Sequence, residues 1–196
     1  GTMFRKVIKK TITKPTKRYL RYLGLNTLFG TDRTKEILSI NPTVMPQREE
    51  AREVRAYVFD YDAGHLEEHE FNNVEACFRF RQSDHISWIN VDGLRKADVE
   101  AVCNSYAVHP LLIEDILSIN QRPKMDEVEG VLFCLLNMLY FNDQEGTVEQ
   151  EQISIVLGKD FVVSFQEDAS RDVFNPLREK LHMANSKLRQ RSADYL

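Results

Sequence analysis

Apolar residues recur along this chain with two different periods, which predict a mixture of strands and helices. Alternating or continuous apolar runs are typical of strands, and apolar spacings of about three to four residues are typical of helices. The first extended pattern begins at Glu53 and turns at Asp62, and the chain then returns as the second arm of a hairpin over 65–71. The remaining strands are predicted at residues 86–91, 128–141, 152–157 and 161–165.

Helical spacing appears in the segments between these strands. Asn73 is a suitable cap for a short helix that continues to about Arg81. Further helices are predicted at 98–106, from Pro110 onward, and over 172–196. Strands mixed with helices, together with two predicted hairpins, favour an α/β fold in which helices cover both faces of a mixed sheet.

Charge is distributed unevenly along the chain. Eight of the 26 lysines and arginines lie within residues 1–22, where there is no acidic residue, so the remaining 18 bases face all 30 acids. Such a basic arm on an acidic body can meet anionic lipid, but the acidic body argues against a broad nucleic-acid footprint. We therefore predict a disordered leader over 1–22, an irregular connector over 23–52, and no nucleic-acid partner.

The sequence gives no motif for catalysis. It has no phosphate-binding loop, no dinucleotide fingerprint and no recognisable nucleophile–base arrangement. Cys77, Cys103 and Cys134 lie far apart, so no pair has zinc-finger or redox spacing. Their largely apolar neighbours predict small core residues in a reducing compartment. We therefore predict a protein that is not an enzyme, with a metal-dependent hydrolase as the less favoured alternative.

The most informative segment is the helix that begins at Pro110. Proline suits the first helical position, because the N–H that it lacks has no helical partner there. Leucines and isoleucines from position 112 to 117 form one apolar stripe, and Glu114 and Asp115 fall on the opposite side. Two carboxylates on a rigid element suit a divalent cation such as Mg²⁺. Adjacent acids on a helix surface are also common as simple solvated groups.

Two further groups of polar residues have a structural and a functional interpretation. Pro123 restricts Arg122, which we expect to turn back toward Glu114 or Asp126. His65, Glu67 and His69 share one face of a predicted strand and include zinc-ligand types, although such a polar strand is more typical of an exposed sheet edge. Neither His85 nor His182 has an evident partner in the sequence.

Several short motifs, in this order, resemble the cytoplasmic domain of the CorA-type magnesium and cobalt transporters over about residues 53–196. The Pro110 segment reads HPLLIEDILSINQRPK over residues 109–124. The other matching motifs are WINVDGL at 88–94, EQISIVL at 151–157, FQE at 165–167, FNPLR at 174–178 and RSADYL at 191–196.

The chain departs from the family pattern where the membrane segments would be. It contains no apolar run of roughly 18 residues, the length that a membrane-spanning helix needs, and no Gly-Met-Asn motif. We therefore expect the pore-lining helix and most of the stalk to lie beyond Leu196.

The resemblance implies an α/β/α sandwich with a central mixed sheet that leads into a long stalk helix. It implies a cation-sensing domain at the cytoplasmic side of the cell membrane, joined to the membrane through segments beyond this chain. Asp115 is then the principal ligand for Mg²⁺, Co²⁺ or another divalent cation, and Glu114 the auxiliary one. The family also implies a homo-oligomer, a pentamer in the full-length protein. A related zinc transporter with the same cytoplasmic fold is the main alternative.

Overall fold

The computed structural model describes residues 50–119, 121–168, 170 and 172–196. The predicted leader over 1–22, and the connector except for its last three residues, lie outside the described residues. The chain divides into two compact units, and the described part of the smaller one is residues 141–149. In that segment Asn142 accepts backbone hydrogen bonds from Gln144 and Glu145 through its Oδ1 atom, and Asn142 Nδ2 donates to Glu149 at 2.8 Å. These contacts make a local turn.

The described strands form a single mixed sheet. In chain order, they are β1 Arg55–Tyr61, β2 Leu66–Phe71, β3 Ile86–Asp92, β4 Lys124–Val128, β5 Val131–Asn142, β6 Thr147–Leu157 and β7 Phe161–Gln166. Their order across the sheet is β2-β1-β3-β7-β6-β5-β4. The β3 and β7 strands are parallel, whereas β1 pairs antiparallel with both β2 and β3, β6 with β7, and β4 with β5.

Helices lie on both faces of this sheet, because the central strands are apolar on both sides. A 3₁₀ helix at Glu75–Gln82, α1 at Lys96–Ser105 and α2 at Pro110–Leu117 pack against one face; α3 at Asn175–His182 and α4 at Lys187–Gln190 pack against the other. Alternate residues of β1 enter the two cores, Val58 the first and Phe59 the second. The predicted α/β/α sandwich with a central mixed sheet is confirmed.

Gly93, just after β3, is required by the close approach of another backbone segment. Its φ is +85°, and a Cβ atom at this position would lie 2.5 Å from the carbonyl oxygen of Glu53. Both the left-handed conformation and the lack of space exclude a larger residue here. Gly93 thereby fixes how the chain leaves β3 toward α1.

Two predicted elements are wrong in their extent. The strand predicted over 128–141 begins at Val131 instead, because Glu129 and Gly130 adopt positive φ angles of 53° and 79° and form a tight turn. This turn joins β5 to β4, a strand that the sequence patterns did not predict. The single helix over 172–196 ends at His182, because Met183 is extended. Ser186 then caps α4 by accepting a hydrogen bond from Leu188 N at 3.2 Å, and a 3₁₀ turn follows at Ala193–Tyr195.

Candidate divalent-cation site

The α2 helix is built as the sequence predicts. His109 caps it, with the Nδ1 atom accepting a hydrogen bond from Leu111 N at 3.2 Å, and Pro110 occupies the first turn. Leu112, Ile113 and Ile116 are buried in the first hydrophobic core. This burial fixes the rotation of α2 about its axis and leaves Glu114 exposed.

The Asp115 carboxylate already has a cationic neighbour. Lys124 Nζ donates a hydrogen bond to Asp115 Oδ2 at 2.6 Å, and the same ammonium lies 3.5 Å from Asp126 Oδ2. The hydrogen bond to Asp115 raises the pKa of Lys124. With only 20% of its side chain exposed, Asp115 is held in one orientation beside the β4 edge of the sheet.

The expected contact of Arg122 with an acid is not formed. Among the described residues, no carboxylate pairs with Arg122, and Lys124, two residues later, takes that role. The sequence did not indicate Lys124, because the restriction that Pro123 places on Arg122 favoured Arg122 as the partner of an acid. The observation that Lys124 begins a strand would have placed its side chain close to α2.

The carboxyl end of α2 is tied to the centre of the sheet. Gln152 Nε2 lies 3.4 Å from the carbonyl oxygens of Asp115 and Ile116. This amide comes from β6 and is buried, so it holds the last turn of α2 against the sheet. Glu114 and Asp115 therefore stand on a backbone that is fixed at both ends.

A second group of acids lines an open cleft of about 420 Å³ beside the end of β3. The cleft is lined by Ala51, Glu53, Arg55, Asp92, Gly93, Glu167, Asp168 and Ser170. The Asp92 side chain is the last acceptor in a buried chain of hydrogen bonds. Trp88 Nε1 donates to Ser164 Oγ, Ser164 Oγ donates to Asn90 Oδ1, and Asn90 Nδ2 donates to Asp92 Oδ1. Asn90 and Asp92 both belong to β3, and Asp92 is its last residue.

Glu151 fixes the loop after β7. Its Oε1 atom accepts hydrogen bonds from the backbone N–H groups of Glu167 and Asp168, both at 3.0 Å, and its Oε2 atom accepts one from Tyr140 at 3.1 Å. Burial raises the pKa of Glu151. Through these hydrogen bonds Glu151 holds in place the loop residues Glu167 and Asp168, which line the cleft.

The structure confirms one expectation about the histidines and corrects another. His65 and His69 both lie near Glu67, with Nε2 to carboxylate distances of 3.6 Å and 3.2 Å, so the three residues share a face as predicted. The lack of evident partners for His85 and His182 is corrected: His85 Nδ1 lies 2.7 Å from Asp60 Oδ2, and His182 Nε2 lies 3.1 Å from Glu68 Oε2. The pairing of β1 with β3 brings His85 to Asp60, and helix α3 carries His182 to Glu68 of β2. The sequence alone shows neither contact.

The fold defines a mixed-sheet α/β/α protein that carries an acidic helix beside one sheet edge. The family model described as "CorA-like Mg2+ transporter protein" matches residues 83–195, more than half of the chain, and the chain belongs to this family. The family consists of transporters and not of enzymes. None of the described helices is long and apolar enough to cross a membrane.

Several known proteins are similar to this chain. The cobalt/magnesium transport protein CorA of Thermotoga maritima is 36% identical over 140 residues, which cover 71% of this chain and 40% of the relative. The complete CorA magnesium transporter of Methanocaldococcus jannaschii has a TM-score of 0.48 at 12% identity, covering 71% and 41% of the two chains. The ZntB cytoplasmic domain of Vibrio parahaemolyticus has a TM-score of 0.42 at 13% identity, covering 68% and 51%. The chain thus spans less than half the length of the Thermotoga relative.

Proposed function

We propose that this chain senses divalent cations for a CorA-type transporter, on the cytoplasmic side of the membrane. Residues 53–196 are the sensing domain, Asp115 is the principal ligand and Glu114 the auxiliary one. The observation that carries the proposal is the rigid presentation of these two carboxylates by α2, in a chain of a Mg²⁺ transporter family. The cation is Mg²⁺ or Co²⁺, the ions in the name of the Thermotoga relative.

Two carboxylates on one helix are too few to hold Mg²⁺ tightly, because Mg²⁺ keeps several waters and requires nearly octahedral geometry. We therefore propose that a homo-oligomer, a pentamer as in the full-length family, completes the site with an acid from a neighbouring subunit. Carboxylates that meet across an interface repel, and a cation between them removes the repulsion. Cation binding then stabilises the closed arrangement of the subunits, and falling Mg²⁺ releases it.

Lys124 is a built-in competitor for this site. Its ammonium occupies one side of the Asp115 carboxylate at 2.6 Å and neutralises it when no divalent cation is bound. A divalent cation must share or displace this contact. The salt bridge therefore sets the cation concentration at which the sensor responds.

The first test is Asp115→Ala in the full-length oligomer. We expect the Mg²⁺ concentration for half-maximal closure to rise about fivefold or more, because loss of a ligand removes coupling free energy between cation and gate. Permeation through the open pore should be unchanged, since the pore lies elsewhere. Current recordings at low and high cytoplasmic Mg²⁺ measure both quantities.

The control for this test is Asp160→Ala, which removes one acid from the exposed hairpin between β6 and β7. This variant should close at the parent Mg²⁺ concentration. If Asp115→Ala also closes at the parent concentration, Asp115 is not part of the sensor.

The second test removes the competitor. In the full-length oligomer, Lys124→Gln should lower the Mg²⁺ concentration for half-maximal closure about three- to tenfold, because the unneutralised acids attract a divalent cation more strongly. The same recordings measure this shift. A rise instead of a fall would mean that Lys124 serves mainly to orient Asp115.

A zinc-transporting relative remains the alternative for the transported ion. Uptake of Mg²⁺, Co²⁺ and Zn²⁺ by vesicles containing the full-length protein separates the two functions. Zn²⁺ uptake with no Mg²⁺ or Co²⁺ uptake would assign the chain to a zinc transporter.

A further inference from the structure

Three potential metal ligands from separate parts of the chain meet beside the β1–β2 turn. Asp60 comes from β1, His65 from the turn, and His85 from the segment just before β3. One ligand atom of each lies within 4.8 Å of the others. The register explains the meeting, because Asp60 pairs with Glu67 of β2 and with Ser87 of β3, which places His65 and His85 on either side of it.

Asp60 is fixed before any ligand arrives. Ser83 Oγ donates to its Oδ2 atom at 2.9 Å, and Ser87 Oγ donates to its Oδ1 atom at 2.8 Å. Ser83 is itself held by a hydrogen bond from His85 N at 3.1 Å. The Asp60 side chain is only 5% exposed, so a buried carboxylate is oriented toward two imidazoles. Such outer hydrogen bonds are typical of the residues that support metal ligands.

The two histidines can adjust to a metal ion. Their rings stack with centroids 4.3 Å apart, and their side chains remain 35% and 29% exposed. Tetrahedral zinc with bonds of about 2.0–2.2 Å brings its ligand atoms to roughly 3.5 Å from one another. Small rotations of His65 and His85 are therefore enough to close the site.

We propose that Asp60, His65 and His85 bind a transition-metal ion of the Zn²⁺ class. Two imidazole nitrogens and one carboxylate suit Zn²⁺, Co²⁺ or Ni²⁺, whereas Mg²⁺ prefers oxygen ligands and water. Asp62 Oδ2 lies 3.7 Å from His85 Nε2, and Glu67 Oε1 lies 3.6 Å from His65 Nε2. These carboxylates add the negative charge that balances the ion and leave a coordination position for water.

This site is separate from the proposed Mg²⁺ sensor. It lies where β1 meets β2 and β3, whereas Asp115 lies beside β4, the strand at the opposite edge of the sheet. It also differs from a site made of His65, Glu67 and His69, because the His69 ring packs against Phe71 and Phe80, with ring centroids 5.7 Å and 5.2 Å away. The proposal does not depend on the sensing function.

The test is a calorimetric titration of the 196-residue chain with Zn²⁺ under reducing conditions, with Mg²⁺ titrated in parallel. The measurement is made at about pH 8, because the hydrogen bond to Asp60 raises the pKa of His85 and protons compete with a metal for imidazole. We expect one equivalent of Zn²⁺, bound at least about a hundredfold more tightly than Mg²⁺. His65→Ala, His85→Ala and Asp60→Asn should each weaken Zn²⁺ binding at least about tenfold.

Three control variants should retain the parent affinity. His182→Ala removes an imidazole that pairs with Glu68, His69→Ala removes the histidine of the alternative set, and Cys134→Ser removes a partly exposed thiol. His65 is partly exposed, so His65→Ala tests the site even if Asp60→Asn or His85→Ala disturbs folding. Zn²⁺ binding no tighter than Mg²⁺ binding, parent affinity in His65→Ala, or an equal loss in any control would overturn the proposal.

Discussion

Replacing Arg178 with methionine is expected to destabilise the protein by about 3–5 kcal/mol, the usual cost of removing one partner of a buried ion pair. Arg178 Nη1 forms an ion pair with Asp172 Oδ2 and donates to Asn175 Oδ1 at 2.9 Å. Only 13% of the Arg178 side chain and 18% of the Asp172 side chain are exposed. The substitution leaves the Asp172 carboxylate largely buried without its cation.

The same guanidinium is also packed against aromatic rings. Its central carbon lies 5.3 Å, 5.9 Å and 5.7 Å from the ring centroids of Tyr57, Phe59 and Trp88. Favourable contacts of this kind add to the ion pair when the cation is shielded from water. Arg178 therefore connects the start of α3 to the aromatic face of the sheet.

Urea unfolding followed by the fluorescence of Trp88, the single tryptophan of the chain, measures the effect of Arg178→Met. The matched control is Arg55→Met, because Arg55 pairs with Glu70 at 3.5 Å while both side chains are 52% exposed. This exposed pair should contribute little to stability, because solvent screens the two charges. Equal effects of the two substitutions would show that burial of the Arg178 pair adds nothing to stability.

Local patterns were sufficient to predict most of the fold. The apolar stripe and Pro110 predicted α2, and the turn at Asp62 predicted the β1–β2 hairpin, where Asp62 Oδ1 accepts from Gly64 N and His65 N at 2.7 Å. These elements depend on neighbours within a few residues. Their local preferences agree with the tertiary fold, so the sequence alone shows them.

The errors occurred where two local preferences compete. Helical spacing continues past His182, yet Asn185 and Ser186 favour a new cap over a helix interior, and Ser186 makes that cap. The turn at Glu129 and Gly130 was missed because apolar residues stand on both sides of it. In both places two residues that favour a turn or a helix cap end an element, although the apolar pattern continues beyond them.

The polar clusters were beyond the reach of sequence reasoning. Asp60 and His85 are 25 residues apart, and only the register that pairs Asp60 with Ser87 brings them to 2.7 Å. The choice of Lys124 over Arg122 as the partner of Asp115 depends in the same way on where β4 begins. Side-chain partners across strands follow from register, which no single segment contains.

Asp92 lies in the same buried region as Arg178, and it makes stability depend on pH. Burial raises the pKa of Asp92 from 3.8 to about 6, and the nearby charge of Asp172 adds to the rise. The protonated carboxyl is therefore favoured in the folded state relative to the unfolded state. Its contribution to stability is fully present below about pH 4 and is lost as the pH rises through about 6.

Asp92→Asn is expected to stabilise the protein by about 1–3 kcal/mol near pH 7.5, since each pKa unit corresponds to about 1.4 kcal/mol. The amide oxygen can still accept the hydrogen bond that Asn90 Nδ2 donates to Asp92 at 2.7 Å, so little change is expected at about pH 4, where the carboxyl is already neutral. Urea unfolding at a series of pH values between about 4 and 8 measures both limits. Asp160→Asn removes the same charge from a side chain that is 66% exposed, and its stability should follow the parent at every pH. Parallel pH curves for Asp92→Asn and the parent would show that Asp92 is not the group whose ionisation opposes folding.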